Sequence, residues 1–246
     1  MSSPVVRVFD DERTLAIGAA GTVFFAAMVA IARRGRFHLA LAGGGTPRPA
    51  YAVLAAPPFV EDFPWDRHDA WLGDERFVPG DHPASNARMI RENLYRPAGA
   101  DPASLHTFDT SIEPAAAARA YAERLEATAP LDSEGAPVLD LVLLGLGADT
   151  HTASWFPGSS FPPGEWVAAV DEAHGGHRRL TLTPATVNAA RHVLFLVSGA
   201  AKRDAVARVF DERKDPAAVP AQRVAPARGR LTWMLDRDAA GQSFAS

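Results

Sequence analysis

The chain has 246 residues, 47% of them apolar, and carries 25 basic against 29 acidic residues. This length and apolar content suffice for the core of one α/β domain, so we expect a single domain over residues 1–246. A net charge of -4 lacks the basic excess of proteins that hold nucleic acid, and the absence of cysteine excludes disulfides and thiolate metal sites. These features favour a cytoplasmic protein that acts on a small molecule.

An apolar run near the N-terminus raises the question of a membrane segment. Residues 15–32 carry no charge, and 18 such residues reach the lower limit for a membrane span. The run is rich in alanine, and acidic residues 10–12 precede it where a signal peptide would be basic. We therefore predict a buried helix, capped by Asp10 or Asp11 and ended by Gly35, with no membrane association.

The remaining chain alternates between strand and helix patterns. The predicted strands are 5–9, 37–42, 70–73, 105–108, 139–144, 179–184 and 192–197, and the predicted helices include 47–54, 86–94 and 114–129. Connections of helical length between strands predict a parallel sheet. The expected fold is a three-layer α/β domain, with a mainly parallel Rossmann-like sheet and helices on both faces.

The apolar strand 139–144 leads into a loop of chemically capable residues. Ligands of parallel sheets bind beyond the carboxyl ends of strands, and His151 stands at such an end. Asp149 is close enough in sequence to orient the imidazole. The competing interpretation is a tight turn in which His151 only makes local hydrogen bonds. We expect Thr150 to have negative φ, with a helix beginning near Thr152, because a β-branched residue resists positive φ.

Two further loops carry groups that suit an anion. Three glycines and Thr46 follow the strand 37–42, and Pro47 then starts a helix whose N-terminus can hold an anion. An ordinary glycine turn is the alternative. Arg76 follows the strand 70–73, where it suits either a bidentate phosphate contact or an ion pair with Asp74 or Glu75.

Two other parts of the chain carry polar groups that suit a ligand. Lys202 lies near the start of a predicted helix, where it can meet a phosphate or simply be solvated. The segment 171–177 contains metal-ligand types at close spacing, but its glycines favour a solvated surface loop. We predict neither a metal nor a cofactor.

These motifs together resemble those of one enzyme family. The segment GLGADTHTASWFP is similar to the GLGxDGHTASLFP signature of the 6-phosphogluconolactonases, departing from it at Thr150 and Trp155. GGGTP, DERFVP followed by SN, RLTLT and VSGAAK resemble further family patterns in the same order. The resemblance covers nearly the whole chain.

The resemblance implies hydrolysis of 6-phospho-D-glucono-1,5-lactone to 6-phospho-D-gluconate in the oxidative pentose phosphate pathway. It implies that His151 acts as general base and acid, that Asp149 orients it, and that backbone N–H groups near Gly147 hold the oxyanion. The substrate and phosphate ligands that it implies are Gly44, Gly45, Thr46, Asp74, Arg76, Arg179 and Lys202.

Two other functions are also compatible with the sequence. A glucosamine-6-phosphate deaminase would share the phosphate loop, although the residues after His151 follow the lactonase form. A non-catalytic phosphosugar-binding regulator would retain the binding residues without turnover. We expect a small phosphosugar lactone as the partner, neither nucleic acid nor membrane, and a monomer or weak homo-oligomer.

Overall fold

A computed structural model describes residues 3–244, apart from the side chains of Glu172, Ala173 and Ser243. Seven parallel strands form the main sheet in the order β1-β10-β9-β6-β2-β3-β5. Their bounds are β1 Val5–Phe9, β2 Phe37–Leu41, β3 His68–Leu72, β5 Leu105–His106, β6 Leu141–Leu144, β9 His192–Val197 and β10 Arg230–Asp236. The predicted α/β fold with a parallel sheet is confirmed.

Helices connect the strands and cover the sheet. Their bounds are α1 Glu12–Arg34, α2 Pro47–Leu54, α3 Phe59–Asp62, α4 Asn86–Ile90, α5 Arg96–Ala98, α6 Pro114–Thr128, α7 Pro184–Ala189, α8 Arg203–Phe210 and α9 Arg237–Ala240. A π-helical turn continues α4, and short 3-10 turns lie elsewhere in the chain. Every residue of β2, β3, β6 and β9 is buried, as expected for parallel strands covered on both faces.

The first helix begins and ends where its capping residues predict. Asp11 accepts a hydrogen bond from the Thr14 backbone N–H, and Gly35 adopts the left-handed conformation that ends α1. Its inner face, which includes Leu15 and Val23, is buried. By length and composition α1 could also cross a membrane, because an 18-residue window of it has a mean hydropathy of 2.2. Of that window, 39% is buried inside the protein, and the core helix of a soluble protein meets the same criteria of length and composition.

A second, antiparallel sheet flanks the carboxyl ends of the main strands. It has the order β4-β8-β7, with bounds β4 Asp74–Arg76, β7 Val167–His174 and β8 His177–Leu182. The prediction of a loop over 171–177 is therefore wrong, because these residues form the end of a β-hairpin that turns at Gly175 and Gly176. Cross-strand pairing with residues on β8 supplies the hydrogen bonds that a solvated loop would take from water.

The prediction of a helix beginning near Thr152 is also wrong. Residues 145–166 contain turns and an isolated bridge between Thr152 and Trp155, and no helix. Pro157, Pro162 and Pro163 lack the N–H groups that a helix would need, and tertiary bonds hold the segment instead. The indole N–H of buried Trp155, for example, donates to the Leu182 carbonyl at 2.8 Å.

Candidate active site

A cleft of about 460 Å³ opens at the carboxyl ends of the main strands. The loops after β2, β3 and β6 meet the second sheet here, as expected for a parallel α/β fold. All the site residues proposed from the sequence line it: Gly44, Gly45, Thr46, Asp74, Arg76, Asp149, His151, Arg179 and Lys202. Topology thus brings together side chains that are far apart in the chain.

Asp149 and His151 form a hydrogen-bonded pair at one side of the cleft. The distance between His151 Nδ1 and Asp149 Oδ1 is 2.5 Å, and the same oxygen accepts the His151 backbone N–H at 3.1 Å. Burial raises the pKa of Asp149, but the hydrogen bonds and charge of His151 outweigh it, so that this pKa lies below its usual value. With Nδ1 held by a carboxylate, Nε2 is the nitrogen left to exchange a proton with a ligand.

The turn that presents this pair depends on a glycine. A Cβ on Gly147 would lie 2.0 Å from His151 Nδ1 and 2.5 Å from Asp149 Oδ1. The Gly147 N–H donates to the His151 carbonyl at 2.8 Å, which closes the turn. This N–H is therefore engaged within the protein, and an oxyanion site made by other backbone N–H groups near Gly147 remains a prediction.

Thr150 contradicts the expectation of negative φ. Its φ is 76°, in the left-handed region, and Ala153 follows with a φ of 47°. The threonine side chain is fully buried, with its hydroxyl 3.4 Å from the Ala218 carbonyl, and its own carbonyl accepts the Ala221 N–H at 3.2 Å. Tertiary contacts thus hold a conformation that the residue type disfavours, immediately before the histidine.

The glycine loop between β2 and α2 faces the cleft from the other side. Gly44 has a φ of 91°, which only glycine adopts readily. Thr46 precedes α2, makes no capping bond with its side chain, and lies within 3.4 Å of the Ser198 hydroxyl. The Thr46 side chain thus does not cap the helix, and Thr46 lines the cleft.

Two arginines stand side by side on the second sheet. Arg76 on β4 is the direct cross-strand partner of Arg179 on β8, and each has a buried Nε without a hydrogen-bond partner. Burial, followed by the charge of Arg76, lowers the pKa of Arg179. Arg76 forms no ion pair within the described residues, so the alternative of a pair with Asp74 or Glu75 is wrong. Paired guanidiniums with free donors suit an anion such as phosphate.

The neighbouring acidic residues have different surroundings. Glu75 accepts three backbone N–H groups and the Ser85 hydroxyl, which assigns it to holding the start of α4. Asp74 lines the cleft and accepts the Ser154 hydroxyl at 2.8 Å and the Asn86 amide at 3.2 Å. These donors fix the Asp74 carboxylate at the floor of the cleft.

Sequence reasoning missed three residues that line the cleft. Asn86 has a buried Oδ1 without a partner, and a Cβ on Gly43 would lie 2.0 Å from it. His174, at the end of β7, stacks on Phe156 with ring centroids 3.5 Å apart, and Phe156 in turn lies 4.9 Å from the His151 ring. The SN pair that resembles the family pattern is the signal that could have identified Asn86.

The described residues contain no group of three or more metal-ligand side chains that could hold an ion. The structure does not describe the side chain of Glu172, so it does not test whether the segment 171–177 binds a metal. The absence of a metal or cofactor remains a prediction.

The chain matches one family of enzymes over nearly its whole length. The family model "Glucosamine-6-phosphate isomerases/6-phosphogluconolactonase" matches residues 10–233. A 6-phosphogluconolactonase of Synechocystis sp. is 37% identical, over 96% of this chain and 97% of that protein. The structure of 6-phosphogluconolactonase from Trypanosoma brucei superposes with a TM-score of 0.86 at 30% identity, covering 100% of both chains. A monomeric glucosamine-6-phosphate deaminase shares the fold, with a TM-score of 0.75 at 23% identity over 96% of this chain and 98% of that one.

Proposed function

Because the chain belongs to the glucosamine-6-phosphate isomerase/6-phosphogluconolactonase family, we propose that it hydrolyses 6-phospho-D-glucono-1,5-lactone to 6-phospho-D-gluconate with His151 as the base. It is a hydrolase of a sugar lactone, and this reaction belongs to the oxidative pentose phosphate pathway. One observation carries the assignment of roles: the Asp149–His151 pair and the Arg76–Arg179 pair line the same cleft. The first pair suits proton transfer, and the second suits a phosphate.

In this mechanism His151 accepts a proton from water through Nε2. The Nδ1–H donates to Asp149, which fixes the tautomer and favours the imidazolium that forms. The water oxygen attacks the lactone carbonyl, and the resulting tetrahedral intermediate carries negative charge. His151 then returns its proton to the ring oxygen as the carbon–oxygen bond breaks, so the enzyme ends the cycle unchanged.

The phosphate lies at the opposite end of the substrate in this proposal. Arg76 and Arg179 donate to it from the second sheet, where both line the cleft. The Gly44–Gly45–Thr46 loop supplies backbone donors and a hydroxyl, and Lys202 adds a positive charge. Asp74 accepts hydrogen bonds from sugar hydroxyls. These contacts hold the lactone carbonyl near His151.

A lactonase assay on the purified protein tests this proposal, with turnover measured above the spontaneous hydrolysis of the lactone. His151→Asn should lower kcat by about 10²-fold or more, since general acid–base catalysis typically contributes that much. His177→Asn is the matched control, because this histidine lies on β8 and does not line the cleft. A His151→Asn enzyme with near-normal turnover would remove this residue from the mechanism.

Calorimetry tests the phosphate assignment separately. 6-Phosphogluconate should bind far more tightly than gluconate to the wild-type protein, and the His151→Asn variant should keep most of this preference. Equal affinities for the two sugars would refute the phosphate site.

We also propose a cytoplasmic location, which accords with a chain that has no cysteine.

A further inference from the structure

The tip of the hairpin between β7 and β8 reaches the cleft. Gly175 and Gly176 have φ values of 62° and 81°, and the commonest two-residue hairpin turn needs positive φ at both of these positions. His174 stands directly before the turn, at a point where the pairing of β7 with β8 is irregular after Val170. Irregularities of this kind bend a strand and re-aim a side chain. His174 and Gly175 accordingly line the cleft.

The His174 side chain is connected to the proton-transfer pair through one other ring. Its imidazole lies nearly parallel to the Phe156 ring, with centroids 3.5 Å apart and an angle of 13° between the planes. The Phe156 ring also lies beside the His151 ring, at a centroid distance of 4.9 Å. The three rings thus form a continuous row from the hairpin to His151, with Phe156 as the link.

His151 is only partly fixed by its hydrogen bond. The bond to Asp149 holds Nδ1, but a bond at one atom leaves the tilt of the imidazole free, and the side chain is 35% exposed. The Phe156 ring supplies a second contact, which limits this tilt and therefore the direction of Nε2. That direction affects the rate, since a misplacement of about 1 Å can slow a reaction about 10²-fold.

The Phe156 ring has open space on one side. A second hollow of about 400 Å³ lies between residues 157–161 and the end of β7. Phe156 and His174 line both this hollow and the cleft, so their stacked rings form the partition between the two. A side chain that borders a hollow lacks packing contacts on that side. The stack with His174 therefore opposes rotation of Phe156 away from His151.

We propose that His174 is a positioning residue for the reaction: by stacking on Phe156 it holds this ring beside His151 and so directs the base. This inference rests on the proposed function. The hairpin acts on the phosphate end through its backbone, because the His174 carbonyl accepts a hydrogen bond from Arg179 Nη2 at 2.8 Å. Substitution of His174 removes the stack and keeps this carbonyl, so the two effects are separable.

Steady-state kinetics on the phosphorylated lactone test the role. His174→Ala should lower kcat by about tenfold or more, while KM stays near the wild-type value because the carbonyl that holds Arg179 remains. His174→Phe retains a ring that can stack and should restore most of kcat. His177→Ala is the matched control, because His177 lies on the same hairpin and does not line the cleft, and it should leave both constants unchanged. Circular dichroism checks that each variant folds.

A double-mutant cycle tests the route through Phe156. In a Phe156→Leu enzyme, His174→Ala should cause little further loss of kcat, because the link is already removed. Multiplicative losses would overturn the proposal, as would a His174→Ala enzyme with normal kcat or one in which only KM rises. A His174→Phe enzyme as slow as His174→Ala would also overturn it, since the role would then belong to the imidazole nitrogens.

Proton NMR tests the contact without turnover. The Cε1–H signal of His151 is identified by its absence from His151→Asn, and the neighbouring Phe156 ring shifts it. At alkaline pH, where imidazole is neutral, His174→Ala should move this signal and His177→Ala should not. A signal that stays in place would refute the positioning of His151 by His174. A wild type without lactonase activity would refute the proposed function instead, and the signal would still decide whether His174 positions His151.

Discussion

The left-handed backbone at Thr150 predicts an unusual order of stability between two substitutions. At a position with negative φ, a protein with alanine has a free energy of unfolding about 0.4–1 kcal/mol higher than one with glycine, because glycine gains more conformational freedom on unfolding. At positive φ the Cβ atom is strained, and the order reverses by more than this amount. Since Thr150 has a φ of 76°, Thr150→Gly should be more stable than Thr150→Ala by about 1 kcal/mol or more.

Comparison of the two variants with each other is more informative than comparison with the wild type. Either substitution removes the buried methyl group, at a cost of about 0.8 kcal/mol per carbon. Either also removes the hydroxyl that lies 3.4 Å from the Ala218 carbonyl. Relief of about 1–3 kcal/mol of backbone strain in Thr150→Gly offsets these losses, so its stability should lie near that of the wild type.

Thermal and urea unfolding measure this difference. A change of 1 kcal/mol corresponds to about 2–4 °C in Tm for a domain of this size. Ala207→Gly provides a control for ordinary backbone, because Ala207 is an exposed residue in the middle of α8 and glycine there should cost about 1 kcal/mol. If Thr150→Ala were the more stable of the pair, the backbone before His151 would not be strained, and our account of this turn would be wrong.

Three further predictions follow from the geometry. Gly43→Ala would place a Cβ 2.0 Å from Asn86 Oδ1, and should destabilise the fold by about 1–3 kcal/mol in urea unfolding. Burial lowers the pKa of His68 and of His192 in the folded protein to about 4, whereas a histidine in the unfolded chain has a pKa of about 6.5. As the pH falls, the unfolded chain therefore binds protons before the folded protein does, and the free energy of unfolding should decrease by a few kcal/mol in total from pH 6.5 to pH 4. Urea unfolding at several pH values measures this decrease. Arg179→Lys should raise the KM for the phosphorylated lactone about tenfold or more, because lysine cannot make a bidentate contact, while turnover of the unphosphorylated lactone is unchanged.

Each of these three has its own control or contrary outcome. Gly45→Ala should raise the free energy of unfolding by about 0.4–1 kcal/mol rather than lower it, because a Cβ on Gly45 meets nothing within 4 Å and its φ is not positive. His192→Gln should flatten the dependence of stability on pH, and an unchanged slope would show that this histidine does not contribute. An Arg179→Lys enzyme that loses activity equally on both lactones would assign Arg179 to the fold of the second sheet rather than to phosphate.

The sequence predicted those features that depend on neighbouring residues. Asp11 and Gly35 mark the ends of α1, because capping is a local interaction. Strand positions and the loops at their carboxyl ends were likewise predictable from apolar runs followed by glycines. The general location of the site therefore needed no structure.

Features that depend on distant partners were not predictable in this way. The φ of Thr150 is set by contacts with Ala218 and Ala221, about seventy residues later in the chain. The direct pairing of Arg76 with Arg179 is a matter of register between two distant strands. His174 reaches the cleft only because β7 and β8 form a hairpin, which glycines alone did not distinguish from a loop.

The pairing of β1 with β10 has a consequence for how the chain folds during synthesis. Val5 lies beside Thr232 and Phe9 beside Asp236, so the first strand of the sheet docks on the last. At about 5–20 residues per second, a ribosome needs on the order of 10 to 45 seconds to reach β10 after making β1. During this interval α1 has been made, yet the sheet edge that anchors β1 does not exist. The nascent chain therefore carries β1 without its strand partner until translation is nearly complete, whereas α1 can already pack on α2.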